Sequence, residues 1–234
     1  MDDSEKLVEA YLRGRGYTTV YEPDGNIPPD FAVDGAIGVE VRRLNQNHHD
    51  GTRTRGLEET AIPVWQRMRK LIETYGPSVP GMQSWYIFYR FTRPIPAWKD
   101  LSVRVANALD SLPAVAAKPK YSFDLGDGFE LTAHASKLSL PWRFRHFGHS
   151  DDQSGGFLIE EIEANLKLCI AEKLKKIAPY RIKYREWWLI LPDHIGFGLD
   201  EFDQQIFRSE VKLTLGFDRV ILLDPRNSSR CFEL

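Results

Sequence analysis

The run from Phe157 to Ile177 constrains this chain most. Its apolar residues Leu158, Ile159, Ile162, Leu166, Ile170, Leu174 and Ile177 recur at the helical period, which predicts one long amphipathic helix. Such a helix needs an apolar surface to lie on, and short apolar runs supply one. Trp187 to Leu191, ending at Pro192, reads as a buried strand, and Arg219 to Leu223, closed by Asp224-Pro225, as another apolar strand. Trp85 to Phe91 has the continuous apolar character of a strand buried on both faces.

Shorter elements fill in the pattern. A first helix is expected over Ser4 to Arg15, with Ser4 as N-cap and Gly16 as its stop. Further helices are expected over Gly56 to Tyr75, broken near Pro63, over Trp98 to Leu109, and over Glu201 to Leu213. Thr18 to Tyr21, Asp30 to Val33 and Ile37 to Leu44 read as strands, with Asp34-Gly35 as a hairpin turn. Strands alternating with helices imply an α/β fold, a mixed β-sheet flanked by helices. Tyr121 to Phe147, with a Gly126-Asp127-Gly128 turn, reads as short antiparallel strands. The expectation is a single domain over 1–234 carrying an antiparallel β insertion at about residues 98–150.

Composition sets limits on function. No apolar run approaches the roughly 18 residues of a membrane span. The opening Met1-Asp2-Asp3-Ser4-Glu5-Lys6 is acidic, the reverse of a signal peptide. Cys169 and Cys231 are too few for a disulfide framework or a four-thiolate zinc site, and each is expected as a small buried hydrophobe. A cytoplasmic protein without membrane contact is therefore expected. The formal net charge is −2, so any surface for phosphates must be a local basic excess. Lys167 to Arg185 holds one: Lys167, Lys173, Lys175, Lys176, Arg181, Lys183 and Arg185 stand against the single acid Glu172. A solvated helix face and a nucleic-acid contact surface both fit that run.

Candidate chemistry concentrates near the start. Asp30 opens one hairpin strand and Glu40 lies inside the next, so a short register brings their carboxylates together. Side chains at i and i+2 of a strand share a face, so Arg42 projects with Glu40 while Val39 and Val41 point into the core. Two acids and a cation aimed at one spot suit phosphodiester hydrolysis. The carboxylates would hold Mg²⁺ or Mn²⁺, which lowers the pKa of a bound water and offsets charge building on the phosphate. Incidental surface acids would instead leave the two carboxylates too far apart for one metal to join.

A helix with an early Glu, then a strand, Pro-Asp, a second strand and Glu-x-basic resembles the PD-(D/E)XK nuclease superfamily. The matching pieces are Glu5 in Ser4-Glu5-Lys6-Leu7-Val8-Glu9, then Gly16-Tyr17, Pro29-Asp30 and Val39-Glu40-Val41-Arg42, all within about the first 45 residues. The resemblance implies a restriction-endonuclease-like fold and a metal-dependent nuclease acting on DNA. Asp30 and Glu40 would be metal ligands, the Val41 carbonyl a third, and Glu5, or Glu9 one turn later, an added carboxylate of the first helix. Arg43, Lys167 and Lys173 are the candidate nucleic-acid contacts, and homodimer formation is left open. The chain departs from the family at Arg42, where Lys is usual. Arginine stays protonated at any working pH, so it can orient a phosphate but cannot act as a base. The base is then metal-bound hydroxide or a lysine from elsewhere, and the helix from Phe157 to Ile177 offers Lys167 and Lys173. The alternative is a member that keeps the fold and binds nucleic acid or protein without cutting.

Three further motifs carry less. His48-His49-Asp50 has metal-ligand residue types but suits a solvated loop. Basic and aromatic residues interleave from Trp142 to His149, a composition that fits base stacking and phosphate contact as well as an amphipathic strand. Gly155-Gly156 precedes a helix as a phosphate cradle does, without the lysine tail of a P-loop.

Overall fold

The computed structural model describes residues 1–49 and 54–234. They form two compact units, one from 1–47 and 156–234, the other from 48–155. In chain order the first elements are α1 (Asp3–Gly14), β1 (Thr19–Tyr21), β2 (Phe31–Val33), β3 (Ile37–Val41), β4 (Asn47–His49), β5 (Thr54–Gly56), α2 (Glu58–Glu73), β6 (Trp85–Phe91) and α3 (Trp98–Asp110). There follow β7 (Lys120–Asp124), β8 (Phe129–Ala135), β9 (Phe144–Asp151), α4 (Leu158–Ile177), β10 (Glu186–Pro192), α5 (Glu201–Glu210), β11 (Arg219–Leu223) and β12 (Cys231–Glu233). The protein is thus mixed α/β, and no helix among the described residues is long and apolar enough to cross a membrane.

The first unit is built on a six-stranded mixed sheet in the order β1-β2-β3-β10-β11-β12. Its centre, β3-β10-β11, is parallel, and the strands on either side are antiparallel. Strand alternation divides the apolar residues of β10 between two cores. Trp188 and Ile190 pack with Val8, Tyr11 and Leu12 of α1, whereas Trp187, Leu189 and Leu191 pack with Ile162, Leu166 and Ile170 of α4. The expected sheet with both faces covered is what this unit has.

Local details differ from expectation. The N-cap of α1 is Asp2, not Ser4, because Asp2 and Glu5 form a reciprocal capping box that satisfies two amide donors at once. Strand β12 went unread in the sequence. Its Cys231 is half-buried rather than in the core, with Sγ 3.3 Å from Arg15 Nη2. The hairpin turn falls where expected: Asp34 (φ 48°) and Gly35 (φ 70°) are both left-handed, and Ala36 is a third loop residue before Val33 pairs with Ile37.

One position in β3 tests the packing on its α4 side. A Cβ built on Gly38 would lie 3.0 Å from the Trp187 indole, its register partner on β10. Gly38→Val is therefore expected to cost about 1–3 kcal/mol through overpacking. Chemical denaturation checks this, and an unchanged midpoint would show that Trp187 has room to move.

The second unit has a four-stranded sheet in the order β7-β8-β6-β9. Trp85 to Phe91 is a strand, but it is not covered on both faces. Trp85, Ile87, Tyr89 and Phe91 are in the core with α2 and α3, while Tyr86 and Phe88 are half-buried and Arg90 is exposed on the other face. Both helices of this unit pack on one side of its sheet, which leaves the alternate residues uncovered. Strands β7 and β8 form the expected antiparallel pair, yet β9 runs parallel to β6. The purely antiparallel expectation fails because β6, from earlier in the chain, sits between β8 and β9. Helix α2 continues through Pro63 without a break.

Candidate active site

The hairpin of β2 and β3 sets the first two side chains. Phe31 pairs with Val39, and continuing that register by one residue brings Asp30 opposite Glu40. The Arg42 amide donates to the Ile190 carbonyl of β10 at 3.3 Å, so the Val41 amide turns to the opposite edge. There it donates to Asp30 Oδ2 at 2.7 Å, which fixes that carboxylate just before β2 begins. Glu40, at 0% exposure, points from the sheet toward α4.

Helix α4 supplies the cations. Lys173 Nζ lies 2.6 Å from Glu40 Oε2 and 3.2 Å from Asp30 Oδ2, and its side chain is only 12% exposed. Lys176, three residues on and on the same helix face, lies 3.2 Å from Glu40 Oε2 and 3.4 Å from Asp30 Oδ1. Burial works against the charge on Lys176, but the two carboxylates outweigh it and hold its pKa above the usual lysine value. Glu40 Oε1 is buried without a hydrogen-bond partner among the described residues. An orphaned buried acceptor of this kind calls for a water or an ion.

No family model matches this chain, and no curated protein or solved structure matches it. The chemistry of the site therefore has to come from its own geometry.

The sequence-predicted residues fall in several places. Asp30 and Glu40 are brought together closely enough to share one ammonium group. Arg42 shares the Glu40 face of β3 but pairs with Glu172 of α4 instead of joining the carboxylates. It also lies near Cys169, whose thiol pKa is pushed up by burial, with Arg42 and Lys173 opposing the shift. Of the two lysines that α4 offered, Lys173 enters the cluster. Lys167 is exposed and pairs with Glu163 at 2.6 Å. Lys176 was read only as part of a basic run. Its spacing of three from Lys173 was the signal that the two would reach one target.

Glu5 is engaged elsewhere, in the α1 capping box and by the Tyr21 hydroxyl at 3.1 Å. Desolvation raises the Tyr21 pKa, and its hydroxyl's hydrogen bonds to Glu22 and Glu5 raise it further. The Tyr21 ring packs on Phe31, the residue after Asp30, at 5.4 Å between centroids. Glu9 pairs with Arg13 at 2.7 Å. Arg43 is exposed, with Nη2 at 3.3 Å from His194 Nδ1. The basic run from Lys167 to Arg185 is not one solvated face, since Arg181 reaches the Gly216 carbonyl and Lys183 reaches Asp24. At Gly156 the Glu161 carboxylate fills the space an anion would need. Asp50 and the side chain of His49 lie outside the described residues.

The donor set suits a hard divalent cation. Among the described residues no cluster of three or more His, Cys, Asp and Glu occurs, so protein carboxylates supply only two ligands. Mg²⁺ commonly takes one or two carboxylates and fills its remaining positions with water and phosphate oxygens. Asp30 and the unpartnered Glu40 Oε1 meet that need. The Val41 carbonyl leaves the strand on the same edge as the amide that binds Asp30.

Proposed function

We propose that the first unit is a metal-dependent nuclease that hydrolyses phosphodiester bonds in DNA, on a restriction-endonuclease-like sheet. The observation that carries this reading is the convergence of Asp30, Glu40 and Lys173 around a buried, unpartnered carboxylate oxygen. Asp30 and Glu40, with the Val41 carbonyl, would hold Mg²⁺ or Mn²⁺, which would supply activation of water and neutralisation of phosphate charge. Lys173 takes the part that Arg42 cannot. Its compact ammonium, 2.6 Å from Glu40, is placed to align a nucleophile at the carboxylates, whereas Arg42 is held away by Glu172. Lys176, more exposed and held charged, is placed to contact a phosphate oxygen. Arg42, tied to Glu172, steadies the α4 turn from which Lys173 extends.

A second reading has one observation behind it. Two ammonium groups balance two carboxylates, so the cluster is already neutral as a set of ion pairs. On that reading the unit keeps the fold and binds nucleic acid without cutting. Incubating the full chain with single-stranded, duplex and branched DNA in Mg²⁺, Mn²⁺ or EDTA separates the two. Cleavage in either metal that disappears in EDTA is the expected result. Retained DNA binding with no cleavage of any substrate would establish the silent reading instead.

A further inference from the structure

The face of the second unit's sheet opposite α2 and α3 is an open trough of ≈ 730 Å³ whose lining includes Tyr86, Phe88 and Phe147. Phe147 is there because of a register shift. Ile87 pairs with His146 and Phe88 with Gly148, so Phe147 is the extra residue of a bulge that turns its ring outward. The ring is 72% exposed and leans on Tyr86, with centroids 5.3 Å apart. Gly148 adds no side chain beside Phe88, so that ring lies against bare backbone.

Charge on this face is sorted by rows across the strands. At one end Lys120, His134, Tyr86 and Arg145 are successive register partners on β7, β8, β6 and β9, and the three basic residues are exposed. The middle row is Ser122, Thr132, Phe88 and Gly148. At the far end stand Asp124, Glu130 and Arg90, and Arg90 is committed to Asp152 at 2.8 Å. Lys120 and Arg145, cations without carboxylate partners in their own row, therefore border the exposed rings, and the acids are kept at the opposite end.

We propose that this face binds single-stranded nucleic acid, with bases stacking on Phe147, Tyr86 and Phe88 and phosphates following the Lys120–His134–Arg145 row. Unpaired bases offer their faces to aromatic side chains, and the backbone supplies the negative charge that the row complements. A duplex keeps its bases stacked on each other and cannot use the rings. A neutral polysaccharide or an apolar protein segment would use the rings and leave the cations without purpose. The proposal stands apart from catalysis in the first unit.

Fluorescence anisotropy of the full chain in EDTA tests it, using labelled oligothymidylate, oligouridylate and a duplex of equal length. The expected result is binding of both single strands, with the duplex at least about tenfold weaker. Phe147→Ala is expected to weaken single-strand binding about tenfold with an unchanged melting temperature, since the ring is exposed. The Lys120→Ala/Arg145→Ala pair is expected to reduce the slope of log affinity against log salt by about two. Absence of single-strand binding, equal binding of duplex, or an unaffected Phe147→Ala variant would each overturn the proposal. Because EDTA removes metal-dependent cutting, such a failure leaves the nuclease reading standing, and loss of that reading leaves this one.

Discussion

Replacing Lys173 with methionine is expected to destabilise the first unit by about 3 kcal/mol when divalent metal is absent. Methionine keeps most of the side-chain stem and removes the charge. Glu40 is at 0% exposure and loses its partner at 2.6 Å, and an uncompensated buried charge costs about 3–5 kcal/mol. Lys176 remains at 3.2 Å from the same oxygen, which places the effect at the lower end of that range. The second half of the prediction is more diagnostic. An ammonium and a dication compete for the same negative charge, so Mn²⁺ should raise the melting temperature of Lys173→Met by more than it raises that of the parent chain. At a hundred times the dissociation constant, ligand binding contributes about 2.7 kcal/mol. Equal shifts in the two proteins would mean that the cation does not bind at these carboxylates. Lys173→Arg completes the comparison. It should restore stability without restoring turnover, because the planar guanidinium supplies charge but cannot take the place of a compact ammonium beside the nucleophile.

That lysine also shows where sequence reasoning reached its limit. Asp30 and Glu40 were legible as a pair because the short turn at Asp34-Gly35 makes neighbours of the strands that carry them, and hairpin pairing is a local property. The helix of Lys173 was legible from its period, and so were the strands Trp187 to Leu191 and Arg219 to Leu223. Which face of α4 meets which strand is a tertiary fact that no local pattern encodes. Lys167 and Lys173 looked equivalent on paper, yet the docking of α4 sends one to Glu163 and the other to Glu40. Arg42 fails for the same reason. The strand period placed it on the Glu40 face, but its partner Glu172 comes from α4. In the second unit, Trp85 to Phe91 read as doubly covered because Tyr86 and Phe88 are aromatic. An aromatic residue left on an open sheet face cannot be told from a buried one by composition. Segment order hid the sheet topology as well, since β6 pairs with β8 and β9 across long stretches of chain.

Glu40→Gln is expected to separate activity from stability in the opposite sense to Lys173→Met. The substitution preserves shape and removes the buried charge, so folding should change by no more than about 1 kcal/mol, as exchanges that remove a buried charge rather than strand it often do. Lys173 keeps Asp30 as a partner at 3.2 Å. Metal-dependent cleavage should nevertheless fall by about 10³-fold or more, since even one missing stabilising group at a reacting centre costs about 10²–10³. Isothermal titration with Mn²⁺ should show loss of binding in parallel. Asp30→Asn supplies an independent check on the same site. Its amide oxygen can still accept from the Val41 amide, so the hairpin end survives while one anionic ligand is lost. If both variants cut DNA as the parent does, the carboxylates are ion-pair partners for α4 and the nuclease reading falls. If both stop cutting while their melting temperatures hold, the buried carboxylates serve the reaction and not the fold, and the orphaned oxygen of Glu40 is accounted for as a metal ligand.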